Sequence, residues 1–297
     1  NAVKDWIDNG KDAFLITGAR QIGKTYLIRQ CLKESGIPYI ELNFIEQPEL
    51  VELFQGAKDV KEILMRLSLV VKEPLKKGKT ILFLDEIQEF KDIVTRIKFL
   101  VEEGSFRYIM SGSLLGVELN DLRSAPVGYM RIYDMYPLDF KEFAQAAGVH
   151  DGTFEQLYTH FKERTPVDEF VHAKMLDVFY LYLIIGGMPE AVSTYIETND
   201  LAQVAQVHNK IIRLYKKDFS KYEHRYKLKL QEIYDAMPGQ LDQKNKRFQL
   251  NSLGKGISYD RVANDFLWLK DAGVANPVYN ISEPKSPLII SENRNLF

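Results

Sequence analysis

Apolar residues in the first half of the chain fall into short blocks separated by helical spacing. Ala13–Thr17 (AFLIT) is a five-residue apolar run, and Ile81–Glu86 (ILFLDE) is apolar until its acidic end. Pro38–Phe44, the FRYIMSGS stretch from Phe106 to Ser113, and Arg131–Leu138 read as further strands. Between them, Lys24–Ser35, Val60–Leu75 and about Asp92–Glu103 place apolar residues on one side of a helix. Near-continuous apolar strands are needed where a parallel sheet is covered on both faces. Strands alternating with helices therefore predict an α/β fold, a parallel sheet with helices on both sides.

The pattern changes after Pro137. From Asp139 to about Tyr226 the spacing is helical, punctuated by Gly148 and the pair Gly186–Gly187. The longest apolar stretch, Val178–Val192, is too short to span a bilayer, which takes roughly 20 residues. It also carries Gly-Gly and Pro, so it reads as a buried helix and turn. From about Leu228 come a helix, the LGKG turn, the helical ISYDRVANDFLWLKDAG and the alternating VANPVYNIS. Helix, turn, helix and a short strand pair predict a winged-helix-like domain. The expected division is the α/β domain over 1–138, a helical lid over 139–226 and the winged-helix-like segment over 227–297.

The candidate chemistry begins where AFLIT ends. Gly18-Ala19-Arg20-Gln21-Ile22-Gly23-Lys24-Thr25 fits G-x-x-x-x-G-K-[ST] in full. Clustered phosphates carry several negative charges, and a tight glycine-bearing loop turns its backbone N–H groups towards them. The start of the following helix adds free N–H groups. All eight residues are thus predicted to bind nucleotide. Lys24 is expected to face solvent in the empty loop and to reach the β and γ phosphates, with the Thr25 hydroxyl on Mg²⁺. Asp85, ending the ILFL strand, is the second expected Mg²⁺ ligand. Glu86 is placed to accept a proton from the attacking water. Gln88 could orient that water or relay nucleotide state, or be a plain surface glutamine. At the next strand end, Ser111 could bring a hydroxyl to the γ phosphate or the water, within a Ser111-Gly112-Ser113 turn.

The whole pattern resembles a bacterial and archaeal family of AAA-type P-loop ATPases. Its members join an N-terminal ATPase domain to a C-terminal domain of unknown function with a nuclease-like core. The resemblance rests on GARQIGKT (18–25), LDEIQ (84–88), SGS (111–113), YPLDFKEF (136–143) and GGMPEAV (186–192). It implies ATP as nucleotide, Mg²⁺ as metal, and a nuclease-like portion that would begin near the end of this chain. In the family a Gly-Arg pair precedes the YPL strand. Here that place reads Gly128-Tyr129-Met130-Arg131, with the basic residue displaced. Arg131 and Arg123 are both candidates, in cis or in trans, to offset charge developing on the γ phosphate.

Composition narrows the partners. The 297 residues hold 39 basic and 41 acidic side chains, which argues against a nucleic-acid coat spread over the whole surface. Lys244, Lys246, Arg247, Lys255 and Arg261 gather in the winged-helix segment, but Asp260, Asp265 and Asp271 lie among them. Protein contact is favoured there, with DNA the alternative; homo-oligomerisation stays open. Cys31 is the single cysteine, which excludes a disulfide within the chain, and the five histidines lack metal-ligand spacing. There is no apolar leader at the start, so a cytoplasmic protein without membrane contact is expected. The chain opens without methionine and stops soon after Ser-Glu-Asn-Arg-Asn, as expected of a piece of a longer protein. The functional expectation is Mg²⁺-dependent ATP hydrolysis that drives a conformational switch or remodels a partner. The alternative is a module that binds ATP without turning it over.

Overall fold

A computed structural model describes residues 2–71, 75–90, 92–113, 128–219, 224–245, 247–254 and 256–293. The chain divides into two compact units, Asn1–Pro137 and Leu138–Phe297.

In the first unit, α1 (Ala2–Asn9) precedes β1 (Ala13–Thr17), and α2 (Lys24–Ser35) leads to β2 (Tyr39–Asn43). Next come α3 (Glu49–Gln55), α4 (Val60–Val70), β3 (Ile81–Asp85), α5 (Asp92–Glu103), β4 (Arg107–Ser111) and β5 (Met130–Asp134). The five strands form one parallel sheet in the order β2-β3-β4-β1-β5. Every residue of β1 and β3 is buried, as their unbroken apolar runs demand.

Alternate residues feed two cores, because successive side chains leave a strand on opposite faces. Leu15, Leu42, Leu82, Leu84 and Met110 pack with Phe54, Leu67, Ile93 and Ile97 of the helices on one side. Phe14, Ile16, Phe83 and Ile109 pack on the other side with Trp6 of α1 and Ile28 and Leu32 of α2. Cys31 lies in this second core, buried as a small hydrophobe. The edge strand β5 is largely exposed.

The second unit begins with a helix start written into the sequence. Asp139 caps α6 (Phe140–Ala146) by accepting from the Glu142 backbone N–H, while the Glu142 carboxylate accepts from the Asp139 N–H. This reciprocal pair satisfies two donors that a helix start leaves free. Helices α7 (Asp151–Glu163), α8 (Glu169–Ile185), α9 (Pro189–Thr198), α10 (Leu201–Phe219), α11 (His224–Asp242) and α12 (Tyr259–Asp271) follow. Phe143, Ile185, Ala191, Val192 and Val204 form the small core of the α6–α10 region. The apolar stretch from Val178 is a helix, as expected, but only partly buried. Tyr180, Leu183 and Ile184 are about 60% exposed (59%, 62% and 58%). From Val178 onward α8 carries apolar residues in unbroken succession, and of these Val178, Leu181 and Tyr182 meet this core.

Of the alternating segment 274–282, only Asn280–Ile281 is a strand (β6). It pairs antiparallel with Glu292–Asn293 (β7). Pro277 within the run has no N–H to give a ladder.

Two of the motifs behind the family resemblance do packing work in this unit. The Gly187 carbonyl accepts from the Leu138 N–H at 2.8 Å, and Tyr182 Oη donates to the Leu138 carbonyl at 3.1 Å. A Cβ on Gly187 would lie 2.0 Å from that same Leu138 oxygen. Gly187→Ala is therefore expected to destabilise this unit by about 1–3 kcal/mol, the usual cost of forcing atoms into a packed site. Thermal unfolding followed by circular dichroism checks it, and an unchanged Tm would remove the packing explanation.

Candidate nucleotide site

The carboxyl ends of β1, β3 and β4 bring the predicted residues together. β4 lies between β1 and β3, so Ser111 sits between the loop that leaves β1 and the acidic end of β3. This is the edge of an open parallel sheet where ligand crevices form.

The loop after β1 is shaped by backbone conformations that favour glycine. Gly18 and Gly23 have φ of 137° and 90°, and Gln21 has φ of 63°. A Cβ on Gly18 would meet the Met135 carbonyl oxygen at 2.2 Å, so the position lacks both the space and the dihedral for a side chain. Ala19 and Ile22 are buried. These two can offer phosphate only their backbone N–H groups, while their side chains hold the loop in place. Gly23 caps α2 without a side-chain hydrogen bond, leaving the helix N-terminus as a group of free donors suited to an anion.

Lys24 departs from expectation. Instead of facing solvent it is 8% exposed, and its Nζ donates to the carbonyls of Gly18 at 3.0 Å and Ala19 at 2.6 Å. The loop folds its own lysine inward because backbone oxygens there can replace its water shell. Burial lowers its pKa from the ordinary 10.5 to about 8, opposed by the charges of Glu86 and Asp85.

Asp85 is the hub. Its carboxylate accepts from Thr25 Oγ1 at 3.0 and 3.2 Å, from Asn43 Nδ2 at 3.1 Å and from Ser111 Oγ. Burial raises its pKa, while the hydrogen bonds from Ser111 and Thr25 lower it. Asn43, which the sequence reading passed over, lies opposite Asp85 in the β2–β3 register. Its signal was the polar residue closing an otherwise strand-like YIELN. Ser111 Oγ donates to Asp85 and so steadies the expected metal ligand.

The adjoining Thr25 hydroxyl and Asp85 carboxylate are hard oxygen donors of the kind Mg²⁺ takes. Mg²⁺ usually keeps waters and phosphate oxygens for the rest of its shell. Among the described residues no cluster of three or more His, Cys, Asp or Glu could hold a metal by itself. The pair therefore fits a metal that arrives with a phosphate better than one caged by protein.

Glu86 follows Asp85 at φ 58°, a left-handed conformation that costs a non-glycine residue about 1–2 kcal/mol. It accepts from Gln88 Nε2 at 2.5 Å, and the Gln88 Oε1 accepts from the Ser113 N–H at 3.1 Å. Arg20 Nε donates to Ser113 Oγ at 3.3 Å.

Arg131 is not brought to this cradle by its own chain. It pairs with Phe14 in the β1–β5 register, at the opposite end of β1 from the loop, and its Nε meets Asp12 at 3.3 Å. The cis role is corrected on that ground: the arginine lies level with Phe14, four strand positions before Gly18 and about 13 Å short of the loop. Arg123 lies outside the described residues.

The family model described as an AAA domain matches residues 10–144, from just before β1 through the sheet to α6. The chain carries an AAA domain. Residues 176–294 match a domain of unknown function (DUF8612), so the AAA domain is joined to a C-terminal domain whose role the match leaves open. No curated protein sequence matches the chain. Among solved structures, AMPPCP-bound DnaA from Aquifex aeolicus aligns at 12% identity and a TM-score of 0.40, over 91% of this chain and 86% of that one. The replication initiator DnaA bound to AMPPCP and single-stranded DNA aligns at 16% identity and 0.39, over 82% and 69%. The S. cerevisiae Hsp104–ADP complex aligns at 15% identity and 0.39, over 91% of this chain and 37% of Hsp104. At such scores these likenesses carry no functional inference. The AAA domain is a nucleotide-binding domain of ATPase type, and its loop, strand order and acidic strand end agree with that class. No helix among the described residues is long and apolar enough to cross a membrane.

Proposed function

We propose that the AAA domain binds ATP with Mg²⁺ and hydrolyses it. The observation that carries this reading is the contact of Thr25 Oγ1 with the Asp85 carboxylate, beside the buried Lys24 and followed directly by Glu86. In this reading the loop N–H groups and Lys24 hold the β and γ phosphates. Thr25 and Asp85 would hold Mg²⁺, which neutralises phosphate charge and orients the terminal phosphoryl group when bound. Glu86 accepts the proton of the attacking water. Retention of Glu86 next to Asp85 favours hydrolysis over a purely ATP-binding role, since a non-catalytic site has no use for a water-activating carboxylate. Arg131 is kept as a trans-acting candidate, supplied from a second copy.

Turnover is proposed to drive a conformational change that acts on a protein partner. The three-part division, with a lid over 139–226 and a winged-helix-like segment from 227, belongs to the same proposal. Contact with DNA through that segment is the alternative. Phosphate release from ATP, measured with Mg²⁺ and again with excess chelator, tests the core of the reading. Release that depends on Mg²⁺ and disappears in Lys24→Ala protein is expected, and absence of any release under Mg²⁺ would remove hydrolysis.

A further inference from the structure

We infer that Gln88 is a positioning residue that ties the Glu86 carboxylate to the phosphate-binding loop, an inference that rests on the hydrolytic reading above. Gln88 is only 8% exposed, yet both ends of its amide are used. Nε2 donates to Glu86 Oε2 at 2.5 Å, and Oε1 accepts from the Ser113 N–H at 3.1 Å. The two contacts fix the amide in one orientation. Turning it over would set oxygen against carboxylate and NH₂ against N–H. On its far side Ser113 accepts from Arg20 Nε at 3.3 Å. A continuous string therefore runs from the P-loop arginine through Ser113 and Gln88 to the candidate base.

Glutamate has three side-chain torsions, and a base must hold its oxygen within hydrogen-bond reach of one water. Gln88 occupies Oε2 and leaves Oε1 as the oxygen free to take the proton. The left-handed backbone of Glu86 and the amide of Gln88 thus act on the same side chain from both ends. No other amino acid of this length both donates to a carboxylate and accepts from a backbone N–H. Glutamate at 88 could accept from Ser113 but would face Glu86 with a like charge. Methionine would fill the space and make neither bond.

The test is single-turnover and steady-state hydrolysis of Mg-ATP by wild type, Gln88→Met and Gln88→Glu, with affinity read from a fluorescent ATP analogue. The expected result is a kcat lowered about 10- to 100-fold in both variants, the scale on which a misplaced catalytic group slows a reaction. Nucleotide affinity stays within about twofold of wild type, which also shows that the variants are folded. Added to Glu86→Gln, Gln88→Met causes no further loss, because residues that act as one unit are not additive. Wild-type kcat in either variant overturns the inference alone. So does a loss confined to nucleotide affinity, or one that adds in full on Glu86→Gln. Should Gln88→Met fail to fold, Gln88→Glu keeps the side-chain volume and the Ser113 bond and decides the matter. Wild-type protein without turnover overturns the hydrolytic reading and this inference with it.

Discussion

Glu86→Gln protein is expected to bind Mg-ATP as wild type does and to cleave it at least about 100-fold more slowly, the usual share of a general base. The amide has nearly the same size and can still sit at the end of β3. It cannot take a proton from water. Asp85, Thr25 and Lys24, on which nucleotide and metal binding depend, keep their contacts with one another and with the loop. Binding and chemistry therefore separate in this variant. Equilibrium binding of a labelled ATP together with rapid-quench cleavage measures both. Wild-type cleavage would take the base role from Glu86.

Lys24→Ala is expected to weaken ATP binding on the order of 100-fold, within the range for truncating one partner of a buried charge pair. The inward fold of the lysine adds a pH signature. Its ammonium is held by two loop carbonyls and its pKa is lowered to about 8, mainly by burial. Phosphate charge favours the protonated form, so ATP raises that pKa on binding. Below pH 7 the lysine is already protonated and binding takes up no proton. At pH 9 the free protein is mostly neutral at Lys24, and binding takes up close to one proton. ATP affinity accordingly falls as pH rises through about 8. Calorimetry at pH 9 in two buffers of different ionisation enthalpy reads the uptake directly. Equal enthalpies in the two buffers, or uptake that persists in Lys24→Ala, would place the proton elsewhere.

The residues explain what was legible beforehand. β1 is the AFLIT run and α5 the Asp92–Glu103 helix as read, because an unbroken apolar block and a clean helical stripe each allow one structure. The loop residues follow from glycine spacing and a local geometry that needs no distant partner. What stayed hidden depends on contacts of the folded chain, within its own loop for Lys24 and between segments far apart in sequence for Asn43, Ser111 and Gln88. Neither the inward turn of Lys24, nor Asn43 and Ser111 on Asp85, nor the Gln88 link to Ser113 has a periodic signature. Arg131 was drawn towards the site by its place in a family motif, while strand register sets it at the other end of β1. Within the alternating run 274–282, read as part of a short strand pair, Asn280–Ile281 alone forms a strand, after Pro277, which has no N–H for a ladder.

The order of the sheet also has a consequence for the making of the protein. β1 leaves the ribosome well before both of its neighbours in the sheet. Phe14 pairs with Ile109 and with Arg131, both roughly a hundred residues further along the chain. Until those segments are synthesised, the AFLIT run has no strand to lie against and only its helices to cover it. At about 5–20 residues per second, that wait lasts several seconds or more. The nucleotide loop, anchored on β1, is therefore made before the acidic strand end and Ser111, yet its strand is completed only when β4 and β5 arrive. Nascent chains arrested before β5 carry a P-loop strand with one edge unpaired, and unpaired edges favour association with other chains.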